Sequence, residues 1–115
     1  MGRKGPYWTD ERVAGLVRVL HKLSRPAADA PPGHRVIQTS EALPRVVRET
    51  YMAGRDFSDE VSHSTVGDMI TALKALGLLR DTPRIPRQSG FMVLIDTSME
   101  VTGEQVRTAI VKLRG

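Results

Sequence analysis

The sequence predicts a mainly helical α+β domain of four amphipathic helices, a short first strand and one β-hairpin. Three observations carry this. Apolar residues recur at helical spacing in four separate segments. Two short apolar runs, LLRDT (78–82) and FMVLID (91–96), flank a Pro-containing connection, as the strands of a hairpin do. A chain of 115 residues with 40% hydrophobic and 26% charged content is of a size and balance to form one globular domain.

Composition narrows the function classes. The chain has no cysteine, which removes disulfides, thiolate catalysis and cysteine zinc sites. No apolar run approaches the ~20 residues a membrane helix needs. The start, MGRKGPYWTDER, is basic and lacks the apolar middle of a secretion signal, so the expected location is the cytoplasm. The net charge of +4 favours a polyanionic partner, and the charge is uneven. Residues 1–35 carry seven Lys/Arg against three acids, residues 36–79 four against six, and residues 80–115 six against four.

Residues 1–8 read as a basic arm with Arg3 and Lys4, either a tail or a phosphate or minor-groove contact. Thr9 suits an N-cap, Asp10 and Glu11 suit the positive end of the helix dipole, and Val13, Leu16, Val17, Leu20 and Leu23 form a buried stripe. Tyr7 and Trp8 read as packing residues at the start of this helix. A total of five aromatics gives no interleaved stacking surface. RPAADAPPGH (25–34) is a loop, and RVIQT (35–39) a short strand.

The second helix starts after a Thr39 or Ser40 cap, or with Pro44 at its first position, where a missing N–H does no harm. Leu43, Val46, Val47 and Tyr51 are expected to face in, with Gly54 closing the helix. The connection RDFSDEV (55–61) then leads to the best-signalled stretch, VSHSTVGDMITALKALGLL (61–79). There Val66, Met69, Ile70, Leu73 and Leu76 make one stripe, while Ser64, Gly67, Asp68, Thr71 and Ala75 point away from it. Ser62 or Ser64 caps the start and Gly77 ends the helix.

In the hairpin connection PRIPRQSG, Pro83 and Pro86 cannot donate to a ladder, and Arg84, Arg87 and Gly90 give charge and freedom. In the last segment Thr102 and Gln105 have capping-box spacing, and Val106, Ala109, Ile110 and Leu113 share a face. This helix, 102–114, either folds back on the first or pairs with its copy in a second subunit.

The pattern V-S-x-S-T-V, two apolar pairs and L-x-x-L-G-L-L resembles the second half of the winged helix-turn-helix of bacterial transcription regulators of the GntR and MarR type. The likeness is strongest over 61–79. It implies a single domain, with a winged-helix core at 9–96 and a C-terminal helical segment at 97–115. The connection at 55–61 is longer than the family's tight turn.

The resemblance implies a DNA reader associated with the nucleoid. Helix 62–76 would enter the major groove of double-stranded DNA, presenting Ser64, Thr65, Asp68 and Thr71 to base edges, with Lys74 and Arg80 on phosphates. In the wing, 80–90, Arg84 and Arg87 would meet the backbone or minor groove. Arg45, Arg48 or Arg55 would add phosphate contacts. Asp68 accepts from a cytosine amino group, caps the helix start or pairs with an arginine. The expected protein is a small repressor, or a plasmid, phage or chromosome DNA-maintenance factor, acting as a homodimer through the C-terminal helix. No small-molecule effector is implied. The competing expectation is a winged-helix protein-interaction module, supported by the acidic centre of the chain.

Enzymatic chemistry has no signal. His21, His34 and His63 are scattered without H-x-x-x-H spacing, and neither a phosphate-cradling glycine motif nor a nucleophile elbow occurs. The expectation is a non-enzyme with no metal and no cofactor.

Overall fold

A computed structural model describes residues 7–26, 30–53, 55, 60–82 and 92–114. The arm before Tyr7, Gly54, and the hairpin connection with Pro83, Arg84, Pro86, Arg87 and Gly90 lie outside the described residues.

Helix α1 (Asp10–Leu23) starts where Thr9 Oγ1 accepts the Arg12 N–H at 3.3 Å. Its Val13, Leu16 and Leu20 are fully buried, while Val17 and Leu23 at the edges of the stripe are half-buried. Trp8 is buried just ahead of the cap, edge-on to Tyr7 with ring centroids 4.9 Å apart and tilted against Tyr51 at 6.0 Å. The two aromatics therefore pack, as the sequence suggests.

Strand β1 (His34–Gln38) begins one residue before the expected segment, and Thr39 opens a 3-10 turn, Thr39–Glu41, instead of ending the strand. Helix α2 (Pro44–Met52) takes the third of the possible starts, with Pro44 in the first turn and no side-chain cap from Leu43. One expectation is corrected here: Leu43 does not face in but is 45% exposed. It stands in extended conformation before the helix, so the helical spacing to Val47 and Tyr51 does not carry it inward.

Helix α3 (His63–Leu76) is capped by Ser62, whose Oγ accepts the Thr65 N–H at 3.1 Å. Gly77, at φ +94°, ends it, and the Leu78 N–H reaches back to Leu73 O at 3.0 Å. That is the wrap a left-handed residue makes possible. Strands β2 (Leu79–Thr82) and β3 (Met92–Asp96) follow, and β3 lies between β1 and β2 in an antiparallel sheet of order β1-β3-β2. Register pairs Ile37 with Val93 and Leu79 with Ile95, all on the face that joins the helical core. Val36, paired with Leu94, forms a small cluster on the other face.

Helix α4 (Gly103–Arg114) opens with the expected capping box: the Thr102 N–H donates to Gln105 Oε1 at 2.9 Å and the Gln105 N–H to Thr102 Oγ1 at 3.2 Å. It packs against α3 and α1. The Gly103 N–H donates to Asp10 Oδ1 at 2.6 Å and Arg107 Nη1 to Trp8 O at 2.7 Å, which ties its first turns to the start of α1. Val106 and Ala109 are buried, but Leu113, on the open side of the groove against Ala75 and Leu76, is 49% exposed. Among the described residues no helix is long and apolar enough to cross a membrane.

Candidate functional site

Helix α3 has little surface left open. Val66, Met69, Ile70 and Leu73 go into the core together with the completely buried Ala72, and α4 packs along a second side. On a third side α2 approaches at Gly67, where an added Cβ would lie 3.6 Å from Pro44 Cγ. What remains exposed is a strip of His63, Ser64, Thr71, Lys74 and Ala75, with Gly67 half-buried within it. Every side chain on the strip except Lys74 and His63 is small, so a flat or grooved polymer can come close to the helix backbone along it.

The four expected base readers separate. Ser64 and Thr71 lie on the open strip. Thr71 Oγ1 donates to Gly67 O at 3.0 Å, so in this conformation it offers an incoming group acceptor lone pairs only. Thr65 and Asp68 instead line a cleft of about 390 Å³ against α4, together with Tyr7, Trp8, Arg107 and Ile110. Thr65 Oγ1 is also 2.9 Å from the capping Ser62 Oγ. The three roles left open for Asp68 narrow as well, because Ser62, not Asp68, caps the helix.

The cations are differently placed from one another. Lys74 Nζ donates to Asp81 Oδ2 at 3.1 Å, across the junction of α3 and β2. Arg80 is opposite Leu94 in the ladder, hence on the sheet face away from the helical core, and Lys74 and Arg80 are not brought together. Arg48 is engaged at the start of α3: its Nε donates to Val61 O and its Nη2 to Glu60 Oε2 at 3.1 Å. Arg55 lies over the Tyr51 ring, 4.1 Å from its centroid, next to α1. Arg45, in the first turn of α2, is exposed. The expected contacts Arg84 and Arg87 lie outside the described residues.

His63, expected from the sequence to be exposed or to cap a helix, is exposed on the strip as the first residue of α3, with Ser62 making the cap. The 100° turn per residue places it beside Gly67 and Lys74, which is the signal that could have found it. The wheel alone could not tell that α4 would take Thr65 and Asp68. Among the described residues no three or more His, Cys, Asp or Glu side chains gather as metal ligands.

Comparison of the chain with protein-family models, with curated proteins and with solved structures finds no match to any of them.

Proposed function

We propose that the protein is a winged helix-turn-helix DNA-binding protein that sets the open strip of α3 in the major groove. The observation that carries this reading is the strip itself: a capped helix, flanked by α2 and α4, with its outward surface kept small from Ser64 through Gly67 and Thr71 to Ala75. The order α1, β1, α2, α3, β2, β3 and the central place of β3 support the same reading, since both belong to the winged arrangement the sequence resembles.

In this reading Ser64, Thr71 and His63 meet base edges, Lys74 and Arg45 meet phosphates, and the hairpin arginines 84 and 87 supply sequence-independent attraction. Thr65, Asp68 and Arg48 position α3 and do not touch DNA. A homodimer through α4 would place two such helices on two half-sites. Val111, 70% exposed, and Leu113 are the apolar positions available to it. Repression and DNA maintenance both fit, because either uses the same domain.

The test is to titrate random duplex DNA and an enriched pool at several salt concentrations, recording the mass of the complex. Steep salt dependence with enrichment of an inverted repeat is the expected result. Absence of binding at low salt would reject DNA as the partner. The second reading, a protein-interaction module, is favoured by the cleft of about 410 Å³ between α3 and α4, where Ala75, Leu76 and Leu113 form an apolar lining.

A further inference from the structure

We propose that the outward face of α4 pairs with the same face of a second copy of the chain, antiparallel, about a two-fold axis that passes Thr108. This deepens the α4 homodimer of the proposed function and rests on that part of it, not on what α3 binds. Most of α4 is already engaged: Val106 and Ala109 are buried, and Arg107 donates to Trp8 O. What the fold leaves open is Glu104, Gln105, Thr108, Val111 and Lys112, all exposed, at the i, i+1, i+4, i+7, i+8 spacing of a single helix face. Val111, at 70%, is the most exposed large apolar side chain among the described residues.

The charges on this face select a second copy as the occupant. Glu104 and Lys112 stand four residues either side of Thr108, about 6 Å along the axis in each direction. Neither side chain has an ion-pair or hydrogen-bond partner among the described residues. At about 12 Å apart along the helix they are also too far from each other to pair. A two-fold at Thr108 that reverses the helix brings each Glu104 opposite the Lys112 of the other copy, twice per dimer. A parallel pair would set Glu104 against Glu104 and Lys112 against Lys112, so charge selects the antiparallel arrangement. The face is self-complementary, as an isologous contact requires.

Thr108, nearest the axis, is small enough to let two helices approach to the usual separation of about 8–10 Å. Val111 then packs on the aliphatic stems of Glu104 and Gln105 from the second copy. Four of the five face residues also border the groove that holds Ala75, Leu76 and Leu113, so a second α4 covers that rim of it. Two effects oppose the pairing. Each chain carries a net charge of +4, and one pair of 12-residue helices covers less than the ~800 Å² per partner of a stable interface. The dimer is therefore reversible and forms as the protein is concentrated.

The experiment is sedimentation equilibrium of the full chain, without DNA, over a wide range of concentrations. The native chain is expected to pass reversibly from monomer to dimer and no further, since an isologous contact closes on itself. Glu104→Lys and Lys112→Glu should each weaken the dimer about tenfold or more, because each sets like charges together at both ends of the helix pair. Mixed in equal amounts, the two variants should dimerise at least as well as the native chain, since every facing pair is then opposite in sign. Both positions are exposed, so the variants keep the fold, which circular dichroism and a near-native unfolding midpoint would verify. A native chain that stays monomeric at millimolar concentration, or that grows past the dimer, would overturn the pairing. So would single variants that dimerise as the native chain does, or a mixture no stronger than its components. Duplex titration keeps the two readings apart. A monomer that binds duplex rejects the α4 pairing and keeps the α3 strip, whereas a dimer that binds no duplex keeps the pairing and rejects the strip.

Discussion

Lys74 on α3 and Asp81 on β2 face each other with Nζ and Oδ2 3.1 Å apart, so the one lysine of the open strip carries an acid beside it. Both side chains are well exposed, and an ion pair of that kind contributes only ~0–1 kcal/mol to stability. Its effect on a polyanion is larger, because Asp81 repels the phosphates that Lys74 would attract. Asp81→Asn should therefore leave the unfolding midpoint nearly unchanged and tighten binding to random duplex severalfold, up to about one order of magnitude at low salt. Fluorescence anisotropy at several salt concentrations measures it. Unchanged or weaker affinity would remove Lys74 from the interface.

The hairpin arginines and the strip are expected to fail differently. Arg84→Ala with Arg87→Ala should weaken binding to all sequences alike and lower the salt slope by about two. Ser64→Ala with Thr71→Ala should change which sequences are enriched from a random pool while leaving the slope nearly as it was. Identical sequence preference after the second change would argue that α3 does not read bases.

Gly103 sits where no side chain fits. A Cβ there would meet Trp8 O at 2.7 Å and the Asp10 backbone N at 2.9 Å, and backbone cannot move aside as a flexible side chain does. Gly103→Ala should cost about 1–3 kcal/mol in chemical denaturation by prying the first turn of α4 from α1. A neutral result would mean that α4 is not docked through this turn.

Asp96 makes acid sensitivity testable. Its carboxyl is held below the ordinary value of 3.8 chiefly by the Ser98 hydroxyl, then by the Ser98 N–H, with smaller attraction from His34 and Arg80. The hydroxyl and N–H donate to Oδ1 at 2.6 and 3.0 Å. A carboxyl depressed in the folded state adds stability that is present above the unfolded value and lost as pH falls through the folded one. Asp96→Asn should flatten the decline in stability below pH about 4 and leave the neutral range alike in shape. Urea midpoints followed down the acid limb check it; an unaltered decline would place the sensitivity elsewhere.

Truncating the core where the helices meet gives the scale for the other changes. Leu73 is fully buried on α3, and Leu73→Ala should cost about 2–5 kcal/mol. A loss below about 1 kcal/mol would mean that α3 is more loosely packed than its burial indicates.

Much of the secondary structure was legible because its causes are local. Thr9, Ser62 and the Thr102/Gln105 pair cap helices through backbone groups within three residues, and Gly77 ends α3 through its own φ. The burial of Val13, Leu16 and Leu20 follows from spacing along a single helix, as does that of Val66, Met69, Ile70 and Leu73. Such signals need no knowledge of neighbours.

The candidate site was legible only in part, because a helical wheel says which side chains leave the core but not what else arrives. Only the tertiary structure placed α4 along α3, turning Thr65 and Asp68 toward a cleft and leaving Ser64 and Thr71 outside. Only the docking of α3 against β2 put Asp81, on the side of the strand that Leu79 shares, beside Lys74. The exposure of Leu43 was decided by its extended backbone ahead of α2, and that of Leu113 by the open side of the groove between α3 and α4. Caps, stops and stripes are set by neighbours a few bonds or one turn away, and the sequence by itself determined them. Which polar face stays open depends on contacts between distant segments, whose free energy is shared across the whole core.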